Sequence, residues 1–320
     1  MLPYSQGESS MTKEQKRRLG MFLTLFAAIC WGFSGTCSEF LFKTRGVSSE
    51  WLTSFRLLVS GVILLTLTLI FYWRGKGENP LKIILDAYDA KRLFIFAVFG
   101  LMTVQYTYLV AISLTNSGTA TVLQYSAPIF ILAWSCLTFK RFPYRFEAVS
   151  IICVLVGVFL LATHGNPTNL ALSPKGLLWG LISAFALALY TVLPQGILSR
   201  HSAMVVTGWG MLIAGLVFTP LVRPFGEVIT WDGGMVFGVF GLVMVGTVMS
   251  FSLFLYGVSL IGPVRASLLA CVEPVSAALF SHFWMGTSFT PMDIAGFVII
   301  IFAVLVLTRP TPAEKAAQRD

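Results

Sequence analysis

The chain has 320 residues, of which 56% are hydrophobic and only 11% are charged, and its formal net charge is +8. Because soluble globular domains carry about 25% charged residues, this composition excludes a water-soluble protein and predicts an all-α integral membrane protein. Most of the 22 basic residues lie in short loops between apolar runs. They are therefore interpreted as orientation signals, and no nucleic-acid partner is expected.

A membrane-spanning helix needs about 20 mostly apolar residues, and the sequence offers ten such runs. The first follows a basic N-terminal segment and continues through Phe42, which is too long for the apolar core of a signal peptide. It is interpreted as a retained span. In chain order the predicted spans are 19–42, 51–73, 93–114, 118–139, 146–163, 175–198, 203–222, 235–259, 264–285 and 292–308.

Lysine and arginine are distributed unequally between the two sides of these spans. One set of tails and loops holds 17 of the 22, the opposite set holds 4, and Arg56 lies inside a span. Cytoplasmic loops carry the excess of basic residues. The distribution predicts a multi-pass protein of the cell (plasma or inner) membrane with both termini in the cytoplasm.

The two halves of the chain match one another weakly but in register. An offset of 146 residues aligns 113–130 with 259–276, pairs Pro128 with Pro274 and leaves Glu273 opposite Ala127; an offset of 154 places 52–61 on 206–215. Five spans in each half force the halves to enter the membrane in opposite directions, the inverted-repeat architecture of secondary transporters. The predicted organisation is a cytoplasmic tail (1–18), a first repeat (19–163), a second repeat (175–308) and a cytoplasmic tail (309–320), with a central cavity between the repeats.

Several segments, taken in their order and spacing, resemble the EamA family of the drug/metabolite transporter superfamily across residues 19–308. They are AAICWGFSGT (27–36), WLTSFRLLVSG (51–61), YSAPIFIL (125–132), VEPVSAAL (272–279) and the closing spans that begin near residues 145 and 292. The resemblance implies ten helices in a 5+5 inverted repeat, a central cavity and alternating access. Family members move amino acids and other small metabolites, usually outward, while relatives carry choline, other organic cations or nucleotide-sugars.

Glu273 and Pro274 lie side by side in the ninth span. Glu273 is roughly 13 Å from the start of the span, near the middle of a hydrocarbon layer about 30 Å thick. A charge there costs about 3 kcal/mol or more, which makes Glu273 a candidate proton carrier or partner of a cationic ligand. The alternative is a protonated, hydrogen-bonded glutamate that stabilises the kink at Pro274.

Pro128 and Pro274 each remove one backbone hydrogen bond, and they are candidate hinges or carbonyl-exposing breaks at a cavity. The alternative is that each proline only kinks its helix. Glu39 is expected at the outer interface and Arg56 about 8 Å below it. These two residues form a candidate ion pair of the outer vestibule, unless Glu39 is simply solvated.

Aromatic and polar side chains within the spans are candidates for the wall of the substrate cavity. Such side chains could stack on a substrate or hold an organic cation, whereas packing and interfacial anchoring are the alternatives. The candidates are Trp31, Ser34, Gln105, Tyr106, Gln124, Tyr125, Tyr190, Trp209 and Tyr256.

The leading hypothesis is a secondary-active transporter that exports amino acids or related metabolites by alternating access, with proton coupling left open. An importer of an organic cation such as choline is the alternative. An intramembrane enzyme is disfavoured because the sequence offers no nucleophile with a base, phosphate-binding loop or metal-ligand cluster; GFSG (32–35) lacks a histidine partner. No cofactor or metal is expected. The expected partners are a small-molecule substrate and the lipid bilayer, with a homodimer left open.

Overall fold

The computed structural model describes residues 12–138, 140–166, 171–226, 228–261, 266 and 269–307. Within these ranges the regular secondary structure is entirely helical. The principal helices are α1 (Lys13–Arg45), α2 (Ser49–Trp73), α3 (Ala87–Leu114), α4 (Ser117–Thr138), α5 (Arg145–Thr163), α6 (Pro174–Leu198), α7 (Ala203–Val222), α8 (Gly233–Ile261), α9 (Val272–Met285) and α10 (Pro291–Leu307).

Each predicted span overlaps one of these helices, and α1–α8 are long and apolar enough to cross a membrane. In the described residues α9 has 14 residues and α10 has 17. Much of the first part of the ninth predicted span (264–285) lies outside the described residues, as do residues 1–11 and the tail 309–320. The number of ten spans therefore remains a prediction, whereas the predicted all-helical membrane fold is confirmed for the described residues.

Local capping signals set several of the helix ends. Thr12 and Gln15 form a capping box at the start of α1, with Thr12 N donating to Gln15 Oε1 at 2.8 Å. Gly46 ends α1 in the left-handed conformation (φ 65°), which glycine adopts without strain. Ser48 Oγ then accepts from Trp51 N at 3.0 Å and starts α2. The turn between α1 and α2 is thus fixed by the sequence itself.

Four of the principal helices depart from regular α-helical geometry, and one of them, α6, is interrupted at residues 193–194. α3 and α8 contain π-helical segments at Phe96–Met102 and Gly241–Met249. In α8 the Thr247 hydroxyl donates to the Leu242 carbonyl, five residues earlier, at 3.0 Å. α4 is interrupted at residues 125–126. Such irregular segments often occur at functional sites, and the π-helical segment of α3 and the interruptions of α4 and α6 contribute residues to the wall of the cavity described below.

α2 and α7 pack antiparallel through two glycines. A Cβ on Gly61 would lie 2.6 Å from the backbone nitrogen of Leu212, and a Cβ on Gly215 would lie 3.0 Å from that of Leu58. The 154-residue offset pairs Gly61 with Gly215 and Leu58 with Leu212. The two contacts are therefore counterparts, and each glycine allows the helix backbones to approach closely.

α5 and α10 also pack antiparallel, and an acidic residue caps each of them. Glu147 accepts from Tyr144 N at 2.7 Å and from the two terminal nitrogens of Arg141 at 2.7 and 2.9 Å. Asp293 accepts from Thr290 N at 2.8 Å, and its other oxygen lies 2.9 Å from His164 Nε2. Both acids thus accept a backbone N–H three residues earlier and face a basic side chain.

Gly61→Ala is expected to destabilise the protein by about 1–3 kcal/mol, because the new methyl group would meet backbone atoms that cannot yield without separating α2 from α7. Gly215→Ala should have a similar effect. The measurement is the thermal unfolding temperature in detergent. Gly233→Ala is the control, since a Cβ there meets open space. Equal unfolding temperatures for Gly61→Ala and Gly233→Ala would contradict the close approach.

Candidate functional site

A cavity of about 430 Å³ lies between α1–α4 and α6–α9. Most of its wall is apolar or aromatic, and among the described residues Arg56 and Glu273 are the charged side chains that line it. The cavity extends to Leu198 and Ala203, which flank the loop 199–202. It therefore runs from the depth of Glu273 to the side of the protein that carries this loop.

Glu273 lies in the first turn of α9, which begins after a turn at Cys271. Its Oε2 accepts a hydrogen bond from the Tyr125 hydroxyl at 3.0 Å, and the same hydroxyl lies 2.9 Å from the Ala270 carbonyl oxygen. Because Pro274 has no N–H, it leaves that carbonyl without its usual donor four residues later. The Tyr125 hydroxyl is thus within hydrogen-bonding distance of both the Glu273 carboxylate and the Ala270 carbonyl that lacks its helical donor.

Arg56 projects from α2 and is buried. Its Nε donates to Thr247 Oγ1 at 3.2 Å, in the π-helical segment of α8. Glu273 lies near enough to interact electrostatically with its guanidinium. The cavity therefore carries a basic side chain from the first half of the chain and an acidic side chain from the second half.

Neither charge has a charged counterpart in the other half. The 154-residue offset pairs Arg56 with Gly210, and the 146-residue offset pairs Glu273 with Ala127. A Cβ on Gly210 would lie 3.1 Å from the Phe96 ring, so this side of the cavity is filled by an aromatic side chain. The two charged residues of the cavity therefore have no charged equivalents in the opposite halves of the chain.

Aromatic side chains form much of the remaining wall. Trp31 packs against Phe251 and Phe254, with ring centroids 5.4 and 5.0 Å apart. Tyr190 packs against Phe96 at 5.5 Å. Aromatic rings of this kind can stack on a flat apolar group or face a cation.

The structure brings five of the nine predicted wall residues to the cavity. Gln124 is oriented by its side-chain nitrogen, which donates to Ser183 Oγ at 2.7 Å. Contact with a substrate stays a prediction for all of them. The five are Trp31, Gln105, Gln124, Tyr125 and Tyr190.

The other four predicted wall residues lie elsewhere. Ser34 is buried against Gly246, where only a hydrogen fits on the glycine. Tyr256 is on the outer surface of the bundle with 45% of its area exposed. Tyr106 donates to Glu50 Oε1 at 2.8 Å, and the Trp209 indole nitrogen donates to the Pro80 carbonyl at 2.7 Å.

Glu39 and Arg56 do not pair in the described structure, which corrects the predicted ion pair of the outer vestibule. Arg56 turns toward Thr247 and the cavity, whereas Glu39 turns toward α4 and α9. Their depths in the membrane were inferred from residue counts along each helix. The direction in which a side chain leaves the helix is set by packing and was not fixed by those counts.

The Glu39 carboxylate is fully buried and is bound by both halves of the chain. Oε1 accepts from Lys43 Nζ at 2.7 Å and from the Thr287 hydroxyl at 3.3 Å. Oε2 accepts from the backbone nitrogen and hydroxyl of Ser117, at 2.9 and 2.8 Å, and from the Ser281 hydroxyl at 2.8 Å. We call these five residues the Glu39 cluster; it joins α1, the start of α4 and the end of α9.

A second polar cluster lies at the mouth of the cavity and was not found from the sequence. His201 is 7% exposed, with Nε2 3.0 Å from Asp89 Oδ2 and Nδ1 3.3 Å from Glu78 Oε2. Arg200 forms an ion pair with Asp89. Both acids precede His201 by more than a hundred residues, so sequence proximity gives no signal of this cluster. It ties the loop 199–202 to the loop before α3, through Glu78, and to the first turn of α3, through Asp89.

Glu39→Ala is expected to destabilise the protein by about 3 kcal/mol, because several buried donors would lose their acceptor together. Glu39→Gln should cost less, since the amide oxygen still accepts. Thermal unfolding in detergent is the measurement. Glu14→Ala is the matched control, because its ion pair with Arg18 is largely exposed and is worth little. A Glu39→Ala protein as stable as Glu14→Ala would contradict the role of the cluster.

In the described part of the chain, eight helices are long enough to cross a membrane, and seven of these line the internal cavity. The chain is therefore a multi-pass membrane protein. The EamA-like transporter family matches residues 18–163 and again residues 174–309. The chain therefore belongs to this family of membrane transporters.

Curated relatives carry transporter names. The chain is 40% identical to the uncharacterized inner membrane transporter YicL of Salmonella typhimurium, over 91% of this chain and 95% of the relative. It is 27% identical to the uncharacterized inner membrane transporter YedA of Escherichia coli K12, over 92% of both proteins. An uncharacterized transporter of Archaeoglobus fulgidus is 28% identical over 67% of this chain and 74% of its own length.

A solved crystal structure is similar to this chain in fold. It covers 94% of this chain and 97% of its own chain, with a TM-score of 0.58 and 16% sequence identity. At that identity the likeness concerns the fold alone.

Proposed function

We propose that the protein is a secondary-active transporter that exports amino acids or related small metabolites by alternating access. The observation that carries the proposal is the pair of opposite charges, Arg56 and Glu273, in an otherwise apolar and aromatic cavity. An amino acid brings a carboxylate for the guanidinium, an ammonium for the carboxylate and an apolar side chain for the wall. Such a zwitterion leaves neither charge unpaired when it binds.

The proposed architecture is ten spans in two inverted repeats, 19–163 and 175–308. Support comes from the double match to the family and from the counterpart contacts at Gly61 and Gly215. The acidic caps Glu147 and Asp293 are likewise equivalent under the 146-residue offset.

The helix breaks give further support for two repeats. The 146-residue offset places Tyr125, at the interruption of α4, on Cys271, at the turn before α9. Pro128 and Pro274 each lie in the first turn of the helix that follows its break. We propose these two breaks as hinges of the transport cycle, in keeping with discontinuous helices at the sites of inverted-repeat transporters.

The described conformation is proposed to face the cytoplasm. The cavity opens on the side of the loop 199–202, which the basic-residue distribution predicts to be cytoplasmic together with both termini. The Glu39 cluster closes the opposite side. Export would begin by loading the cavity from this open side, and the names of YicL and YedA support the inner membrane as its location.

Uptake of an organic cation is a second candidate, favoured by the aromatic group of Trp31, Phe251 and Phe254 in the cavity that Glu273 lines. A quaternary ammonium could be held there by cation–π contacts and the carboxylate. This substrate would leave Arg56 without an anionic partner. Proton coupling through Glu273 and assembly as a homodimer are further proposals.

Counterflow in proteoliposomes tests the proposal. Purified protein is reconstituted into vesicles loaded with unlabelled L-leucine, L-phenylalanine, L-threonine or choline, and uptake of the same compound in labelled form is followed. Saturable counterflow of L-leucine, absent from protein-free vesicles, is the expected result. Counterflow of choline alone would favour the second candidate, and no counterflow with leucine, phenylalanine or threonine would contradict amino acid transport.

A further inference from the structure

We propose that Tyr125 is a positioning residue that couples the protonation state of Glu273 to the backbone break at the start of α9. The role of this coupling in transport rests on the proposed function, because it requires Glu273 to act as a proton carrier. Its structural basis is independent of the substrate. One phenolic hydrogen has two acceptors within reach, the Glu273 carboxylate at 3.0 Å and the Ala270 carbonyl at 2.9 Å.

The two acceptors compete for that hydrogen. An ionised carboxylate is the stronger acceptor, because hydrogen bonds to a charged group are roughly twice as strong as neutral ones. When Glu273 is ionised, the hydroxyl donates to Glu273. When Glu273 takes up a proton, its advantage is lost and the hydroxyl donates to Ala270.

The Ala270 carbonyl is available because of Pro274. In an unbroken helix the N–H of residue 274 would donate to it, and proline removes that donor. Ala270 is only partly exposed, and a carbonyl shielded from water without a donor costs about 1–3 kcal/mol. Protonation of Glu273 therefore moves a hydrogen bond from a side chain to the backbone of the break before α9.

The donor in this exchange belongs to the first half of the chain and both acceptors belong to the second half. Tyr125 occupies the interruption of α4, and Ala270 and Glu273 flank the turn before α9. A change at Glu273 thus alters the link between the two breaks, where the halves of a carrier would move relative to each other.

Other groups near Glu273 are held by partners of their own. From α2, Arg56 interacts electrostatically with Glu273 and donates to Thr247. From α3, Tyr108 shares a 2.7 Å hydrogen bond with Thr121, and Cys271 is the titratable neighbour on the same segment. In the described residues the Tyr125 hydroxyl is the group that donates a hydrogen bond to the Glu273 carboxylate.

Infrared titration of the purified protein tests the proposal without a substrate. The carbonyl stretch of a protonated carboxylic acid that is absent from Glu273→Gln reports this residue. Tyr125→Phe is expected to move the midpoint of that band upward by about one pH unit, because the ionised form loses the stronger hydrogen bond. Tyr190→Phe, which removes another hydroxyl from the cavity wall, should leave the midpoint unchanged. A Tyr125→Phe midpoint equal to that of the wild type would overturn the proposal.

Pro274→Ala gives the opposite expectation. The alanine N–H can donate to Ala270, so the hydroxyl of Tyr125 remains with Glu273 and the midpoint should fall. In the double variant with Tyr125→Phe, the Pro274→Ala change should shift the midpoint no further. A rise in the single variant, or a full shift in the Tyr125→Phe background, would contradict the exchange. If Tyr125→Phe does not fold, the infrared midpoint of the single variant Pro274→Ala still tests the proposal.

Transport assays distinguish a failure of this proposal from a failure of the proposed function. In leucine counterflow, Tyr125→Phe should move the pH profile in the same direction as the infrared midpoint. Missing counterflow in the wild type would contradict amino acid transport and leave the infrared result intact. An unshifted infrared midpoint beside normal counterflow would overturn the role of Tyr125 alone.

Discussion

Glu273→Gln is expected to abolish the pH dependence of amino acid flux. The amide keeps the shape of the side chain and an oxygen for Tyr125, but it cannot take up or release a proton at any working pH. Loss of the charge also removes the partner of the substrate ammonium. We expect an increase in KM of about 30-fold, which corresponds to about 2 kcal/mol. Flux in proteoliposomes at several pH values, with and without an imposed pH gradient, measures both effects.

Glu14→Gln serves as the control for this experiment, since its exposed carboxylate lies near the start of α1, far along that helix from Trp31 in the cavity wall. It should transport with the wild-type pH profile. If Glu273→Gln keeps that profile as well, Glu273 is not the proton carrier and only a structural role remains for it.

Arg56→Gln is expected to raise KM for L-leucine by about 30- to 100-fold and to spare 3-methylbutylamine, the amine with the same side chain and no carboxylate. The guanidinium would bind the substrate carboxylate through charge-assisted hydrogen bonds, worth about 2–3 kcal/mol. Arg56→Lys keeps the charge and loses the planar donor group, so its KM for L-leucine should lie between those of the wild type and Arg56→Gln. The measurement is counterflow of the two probes through the same vesicles.

Thr247→Val separates substrate binding from helix packing in this experiment. It removes the acceptor of Arg56 Nε and leaves the guanidinium in place. Thr247→Val should reduce counterflow of L-leucine and of 3-methylbutylamine equally and only slightly. An equal loss of leucine and amine transport in Arg56→Gln would show that Arg56 supports the bundle and does not bind a carboxylate.

The spans could be predicted from the sequence, while the full helices could not. The apolar run of the first span begins at residue 19, yet α1 begins at Lys13 because the Thr12 capping box and a basic turn continue the helix beyond the apolar run. α3 begins at Ala87 for a similar reason, with Asp86 capping Asp89. Hydropathy marks the part of a helix in contact with lipid tails, and capping decides where the helix starts.

The depth of a candidate residue could be predicted, but its direction could not. Gln105 and Tyr106 are neighbours at the same depth, yet Gln105 lines the cavity and Tyr106 contacts Glu50. Successive residues on a helix point about 100° apart, and the π-helical segment before Gln105 shifts the rotation of all that follows. Packing of the whole bundle is needed to settle that rotation.

The paired contacts of Gly61 with Leu212 and of Gly215 with Leu58 carry a mechanical consequence. In a carrier whose halves exchange conformations, most contacts between the halves must be broken in one state and made in the other. A contact that maps onto its own counterpart keeps the same geometry through that exchange. In such a carrier the α2–α7 crossing would be a fixed pivot, about which the rest of the bundle would tilt while this contact stays closed.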